Sequence, residues 1–210
     1  MPIEDKENHW EETYNKKLLY ISKNPDNNWP WDILKPDKNL EEILYSYNIK
    51  QGKVLEIGCG TGTDIKFLCS KGFDVTGMDI SPTAIEIAKR KNEEYKNVKY
   101  IVGDIKEDLP TYEKYDIIYD RGCLHGNPEL LKDIFSKFNE ILNEKGIMII
   151  IASNSNSIDI EGATPPKLNI KELITHSDNY FSVKLIKETI FELSYGYNNV
   201  LGYKIILQKK

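Results

Sequence analysis

The stretch Val54-Leu55-Glu56-Ile57-Gly58-Cys59-Gly60-Thr61-Gly62-Thr63-Asp64 decides how this 210-residue chain reads. Val54 to Ile57 form a short, mostly apolar run of strand length, and the run stops at three glycines separated by single residues. Glycine permits a tight turn and lets a ligand approach bare backbone. A helix is expected directly afterwards, with Ile65, Leu68 and Cys69 on one face and Gly72 as its stop. A dinucleotide-binding turn reads G-x-G-x-x-G, whereas here Thr63 stands where the third spaced glycine would fall. Glu56 and Asp64 bracket the turn with negative charge, which suits a ligand carrying an ammonium and a sulfonium better than a pyrophosphate. Taken alone, the glycines also admit a plain strand-to-helix turn with no ligand.

Outward from this turn, short apolar runs alternate with amphipathic stretches. A second strand spans Phe73 to Met78 and ends at Asp79. Ser81-Pro82 then reads as a side-chain cap with proline at the first helical position, followed by Ala84, Ile85 and Ala88 at helical spacing. A third strand spans Val98 to Val102, before Asp104, and a fourth spans Tyr115 to Tyr119, running into Asp120-Arg121-Gly122. A long helix is expected over Pro128 to Glu144, with Leu131, Ile134, Phe138, Ile141 and Leu142 inward and Gly146 as its stop. Ile147 to Ala152 is apolar at every position and so reads as a strand buried on both faces. After a polar loop over 154–164 come a helix near Ile170 to Ile174 and strands near Phe181 to Ile190 and Gly202 to Gln208. This alternation predicts an α/β chain with a doubly wound, mostly parallel sheet in one domain.

Residues 1–50 differ in texture, being polar and aromatic, and hold all three tryptophans, Trp10, Trp29 and Trp31. They read as an N-terminal helical lid or cap, with residues 51–210 forming the sheet domain. Core packing over the sheet edge is the alternative for these aromatics. The formal net charge of -5 argues against a nucleic-acid partner. No apolar run is long enough for a bilayer crossing, and the polar start MPIEDKENHW has no signal-peptide core, so a cytoplasmic location is expected. The basic run Lys89-Arg90-Lys91 meets Glu93 and Glu94 and reads as a solvated helix end. Three cysteines and three histidines are scattered, so neither a disulfide framework nor a metal site is expected.

In an open α/β sheet, ligands sit beyond the carboxyl ends of the strands. Asp79 stands where a carboxylate accepts hydrogen bonds from ribose hydroxyls, and Gly103-Asp104-Ile105 where one accepts from an adenine amino group, although a lone Asp after a strand also forms turns. VLEIGCGTGTD with the strand-end Asp79 and with Gly103-Asp104 resembles the class I S-adenosylmethionine-dependent methyltransferases over roughly residues 50–152. Asp120-Arg121-Gly122-Cys123-Leu124-His125-Gly126-Asn127-Pro128 further resembles the D-R-G-A-L-x-A-x-x-P stretch of thiopurine methyltransferases, whose superfamily includes halide and thiol methyltransferases. Trp10 with Tyr14, Pro30-Trp31-Asp32, Pro165-Pro166 and Phe191-Glu192 are similar to other parts of that superfamily, whereas Cys123 and Gly126 replace its usual alanines.

The resemblance implies a seven-stranded Rossmann-like sheet with an antiparallel last strand, S-adenosylmethionine as cofactor and a small-molecule methyl acceptor. The cofactor residues it implies are Trp10, Tyr14 and Trp31 from the lid, Glu56, Gly58, Cys59, Gly60 and Gly62 from the glycine turn, and Asp79, Ile80, Asp104, Ile105, Asp120 and Arg121 from later strand ends. Arg121 is expected at the boundary of cofactor and acceptor, with an ion pair to Asp120 or another acid as the alternative. His125 is positioned to act as a general base if the acceptor is a hydroxyl or amine, with a hydrogen-bonded loop histidine as the alternative; a thiol needs only modest help. Three functions follow in order: transfer to a thiol or similar soft nucleophile; O- or N-methylation with His125 as base; and a non-catalytic cofactor-binding protein. A monomer or weak homodimer, without nucleic acid or membrane, is expected.

Overall fold

The computed structural model describes residues 6–21, 29–154, 167–194 and 200–210, with the side chains of 6, 7 and 17–21 left aside. Pro165-Pro166 and most of the polar loop lie outside this range. The elements are α1 (Lys6–Ile21), α2 (Lys38–Ser46), β1 (Lys53–Ile57), α3 (Thr63–Ser70), β2 (Asp74–Asp79), α4 (Pro82–Lys91), β3 (Val98–Val102), β4 (Tyr115–Arg121), α5 (Leu131–Ile141), β5 (Leu142–Ser153), α6 (Ile170–Ser177), β6 (Phe181–Phe191) and β7 (Val200–Lys209). The sheet order is β3-β2-β1-β4-β5-β7-β6, with β1 to β5 parallel and β7 antiparallel to both of its neighbours.

Two apolar layers sandwich this sheet. Leu55, Ile57, Ile118, Met148 and Ile150 turn toward α5 and α6, whose Leu131, Phe135, Phe138 and Leu173 are buried against them. Val54, Ile117, Tyr119, Ile149 and Ile151 turn the other way, toward Leu40 and Ile43 of α2, Ile65 and Leu68 of α3 and Ile85 of α4. The alternation of strand side chains thus supplies both faces of a doubly wound sheet. Because α2 is part of a core layer, the portion lying over the sheet's carboxyl edge is α1 with residues 29–37, shorter than a cap ending at residue 50. Among the described residues, no helix is long and apolar enough to cross a membrane.

One element differs from its expected form. The helix foreseen to residue 144 ends at Ile141, and Leu142 already pairs with Tyr115 of β4. The pairing shifts between Tyr115 and Ile117, opposite residues 143–146, where Lys145 takes φ 64°. Asn143 Nδ2 donates to Asp116 Oδ1 at 2.8 Å, holding this bulge against β4. Gly146 therefore lies within β5, where a Cβ would meet Asn143 O at 2.8 Å, and does not end the helix. Leu142 fits the helical spacing and the strand equally, so periodicity alone does not separate the two.

Candidate active site

The first turn sets the backbone of the site. Gly58, Gly60 and Gly62 take φ of 62°, 53° and 75°, a left-handed region that side chains other than glycine adopt at a cost. A Cβ at Gly60 would stand 3.0 Å from the Tyr14 hydroxyl, so this glycine also keeps the surface bare for close approach. Gly62 serves packing and not the cavity: Asn92 Nδ2 donates to its carbonyl at 3.1 Å, and a Cβ would meet Ala88 at 2.9 Å. Asp79, buried at the end of β2, accepts from Gly60 N at 2.8 Å and Ser81 N at 2.9 Å. Ser81 caps α4 by accepting from Ala84 N at 3.1 Å, as its sequence suggests.

These strand ends open into a cavity of about 520 Å³, within the range of small-molecule sites. Trp10, Tyr14, Trp31, Glu56, Gly58, Cys59, Gly60, Asp79, Ile80, Asp104, Ile105, Arg121 and His125 all line it. Asp120 does not. It is buried beneath the site, where Oδ1 accepts from Cys123 N and Leu124 N at 2.9 and 3.1 Å, and burial pushes its pKa up to about 7. Asp104 lines the cavity and also shapes its turn, accepting from Lys106 N at 2.8 Å.

The acidic groups are poised for a cation. Glu56 is buried, and its Oε2 has no hydrogen-bond partner. Burial and the Asp64 carboxylate push its pKa upward against the pull of Arg121. Burial likewise raises Asp64 and Asp79 to about 6 each. A cationic ligand in this cavity would offset that desolvation and restore the charged forms.

The N-terminal segment closes one wall. Trp10 meets Trp31 edge-on at 5.3 Å, Tyr14 packs against Trp29 at 5.1 Å, and Trp31 Nε1 donates to the Tyr14 hydroxyl at 3.1 Å. Glu11 fastens α1 to the N-terminus of α4, accepting from Ser81 Oγ at 2.6 Å, Thr83 Oγ1 at 2.5 Å and Thr83 N at 3.1 Å. Asp32 fastens residues 29–37 to the glycine turn. It accepts from Thr61 Oγ1 at 2.6 Å, Thr63 Oγ1 at 2.8 Å and Lys91 Nζ at 3.0 Å. Burial opposes ionisation of Asp32, but Lys91 and the two hydroxyls outweigh it and hold its pKa below the usual carboxylate value. Lys91, expected in solvent, is thus part of an internal cluster, while Lys89 and Arg90 remain exposed.

Arg121 departs most from its expected role. Its Nε donates to Asp37 Oδ2 at 2.7 Å, its Nη1 to Trp31 O at 3.0 Å and its Nη2 to Glu192 O at 2.7 Å. The guanidinium also lies 4.8 Å from the Phe191 ring centre. Three of its five N–H donors therefore tie the end of β4 to α2, to residues 29–37 and to the end of β6. The acid in its ion pair is Asp37 and not Asp120, as the alternative reading of this residue allowed, and Arg121 also lines the cavity, where the two N–H donors outside these three bonds could meet a ligand.

His125 takes the hydrogen-bonded form, the alternative to a base. It is buried, and its Nδ1 accepts from Ser153 N at 3.0 Å. A backbone N–H can only donate, so the neutral ring carries its proton on Nε2. Burial, with the Arg121 charge behind it, pushes the imidazole pKa down to about 3. The lone pair a general base requires is thus occupied. Among the described residues, no group of three or more His, Cys, Asp and Glu side chains could hold a metal ion.

Comparisons with known proteins show the family. A family model described as a methyltransferase domain matches residues 54–146. The probable cobalt-precorrin-6B C(15)-methyltransferase (decarboxylating) of Saccharolobus solfataricus is 35% identical over 140 residues, 61% of this chain and 68% of that protein. The probable thiol methyltransferase 2 of Arabidopsis thaliana is 36% identical over 94 residues, 43% of this chain; the chain spans only 41% of that relative's length. A solved structure from work on conversion of a disulfide bond into a thioacetal group during echinomycin biosynthesis shares the fold, with a TM-score of 0.76 at 22% identity and 97% and 92% of the two chains covered. The chain belongs to the class I S-adenosylmethionine-dependent methyltransferases. The cofactor of that family is S-adenosylmethionine, a sulfonium with an ammonium group. The unpartnered buried oxygen of Glu56, the bare backbone at Gly60 and the acidic strand ends fit it.

Proposed function

We propose that the chain transfers a methyl group from S-adenosylmethionine to a small soft nucleophile, most simply a thiol. The cofactor would be held by Glu56 against its ammonium, by Asp79 and Ile80 at the ribose and by Asp104 and Ile105 at the adenine. Trp10, Tyr14 and Trp31 would form the wall over it, with Gly58, Cys59 and Gly60 beneath. When bound, the cofactor supplies an electrophilic methyl group on a leaving group that is already activated. The aromatic wall excludes water, and the acidic strand ends favour the sulfonium; orientation and desolvation then supply most of the acceleration.

The observation that carries the choice of acceptor is the state of His125. With Nδ1 accepting from Ser153 N, the ring has no free lone pair to deprotonate a hydroxyl or amine. A thiol of ordinary pKa is partly ionised near neutrality and needs only modest help. The 36% identity to a thiol methyltransferase over 94 residues supports the same choice. The test incubates the protein with S-adenosylmethionine and, in parallel, thiophenol, iodide, a phenol and an amine. S-adenosylhomocysteine released with thiophenol supports the reading; release only with the phenol or amine reverses it. Cofactor binding without turnover on any acceptor would instead indicate a non-catalytic binding protein.

A further inference from the structure

We propose that His125 donates a hydrogen bond through Nε2–H to the nucleophilic atom of the acceptor, so that the site selects an acceptor bound as an anion. This rests on the methyl-transfer reading above. His125 lines the cavity, and its ring is pinned on two sides: Nδ1 by Ser153 N at the end of β5, and one face by Phe191, with ring centres 5.3 Å apart. With Nδ1 tethered to Ser153 N at 3.0 Å, Nε2 lies on the opposite edge of the ring, beside the backbone of Gly122. The backbone beside it is kept bare. Gly122 takes φ 86°, and a Cβ there would stand 3.2 Å from Nε2. A donor fixed in place beside a bare stretch of cavity wall is what an anionic atom requires.

The surroundings select the acceptor's body as well. Phe191 lies against the donor's ring, and Leu130 and Leu193 add apolar surface to the lining of the same cavity. Gly126 lines it too; a Cβ there would meet nothing within 4 Å, leaving room beside the donor. The occupant is therefore a thiolate carried on a small apolar group. In the step, the acceptor has lost its proton to solvent, and its sulfur lone pair forms the new bond to the methyl carbon. The electron pair of the broken methyl–sulfonium bond stays on the departing sulfur. The products are a neutral thioether and S-adenosylhomocysteine, and no protein base takes part.

Two substitutions separate the donor from the structural tether. In H125N, the shorter amide keeps an acceptor for Ser153 N but does not reach the Nε2 position. In H125Q, the longer amide keeps a donor near Nε2 and gives up the Ser153 bond. Each protein is saturated with S-adenosylhomocysteine, its binding followed by calorimetry, and titrated with thiophenol over a range of pH on both sides of the thiol's own pKa. The ultraviolet band of the thiolate then reports the ionised fraction of the bound thiol. Wild type and H125Q are expected to shift the thiol equilibrium toward thiolate by about tenfold, and H125N to lose that shift while still binding S-adenosylhomocysteine. An equal ionised fraction in all three overturns the proposal. So does loss in H125Q with retention in H125N, which would mark His125 as structural only. Failure of wild type to bind S-adenosylhomocysteine would instead sink the methyltransferase reading beneath it. Binding of S-adenosylhomocysteine but not of thiophenol would remove the thiol acceptor and the donor role together.

Discussion

Glu11 offers the clearest way to separate the lid from the fold beneath it. Its carboxylate accepts three hydrogen bonds from Ser81 and Thr83 at the N-terminus of α4, where the helix dipole adds further attraction. A hydrogen bond to a charged group contributes about 1.5–3 kcal/mol when desolvated. Glu11 is half-exposed, so solvent screening reduces the set of three to about 2 kcal/mol in total. Replacing Glu11 by alanine then favours undocking of α1 by about 30-fold, and S-adenosylhomocysteine binding weakens by up to that factor. All three tryptophans lie in the lid segment, so intrinsic fluorescence reports its docking directly. E11A is expected to shift tryptophan emission toward that of exposed indole and to weaken binding measured by calorimetry, with Tm nearly unchanged. Burial alone would raise the Glu11 pKa, but the hydrogen bonds from Ser81 and Thr83 outweigh it and hold it below the usual value. Docking should therefore be complete above the ordinary carboxylate range and be lost as pH falls through the lowered pKa, a transition absent in E11Q. Unchanged emission and affinity in E11A would refute the latch. A fall in Tm as large as that of a core substitution would show that α1 is part of the folding unit and not a lid.

Two further outcomes follow. Burial holds the Asp79 pKa at about 6, and ribose hydroxyls require the ionised form as acceptor, so S-adenosylhomocysteine affinity should fall as pH drops through about 6; a D79N variant should bind weakly at every pH, and calorimetry across that range checks both. Arg121→Met leaves Asp37 buried without its charged partner, a loss of about 3–5 kcal/mol, which lowers Tm by roughly 6–20 °C in a scanning calorimeter; an unchanged Tm with abolished turnover would restore Arg121 to a direct catalytic role.

The parts of the molecule legible in the sequence are those written in local patterns. The β1 run with its glycine turn, the Ser81-Pro82 cap and the strand-end Asp79 are each set by a few adjacent residues, and each stands where the pattern puts it. Contacts that close the site are long-range and carry no local signature. Glu11 meets Ser81 across 70 residues, Arg121 meets Asp37 across 84, and His125 meets Ser153 across 28. The motif around Arg121 and His125 places both residues at the cavity but does not reveal which of their polar atoms are already engaged. For His125 that detail is the Ser153 N–H on Nδ1, which bears directly on whether the ring can accept a proton. Lys91 shows the same limit: in a basic run followed by acids it looks solvated, and only the fold brings Asp32 and Thr61 to it.

The measurement that tests the account most directly follows thiophenol and S-adenosylmethionine with wild-type protein by mass spectrometry, with D79N as control. The account predicts methyl phenyl sulfide and S-adenosylhomocysteine in equal amounts, with both lost in the control. Methylation of the phenol or amine with no thioether formed would contradict it.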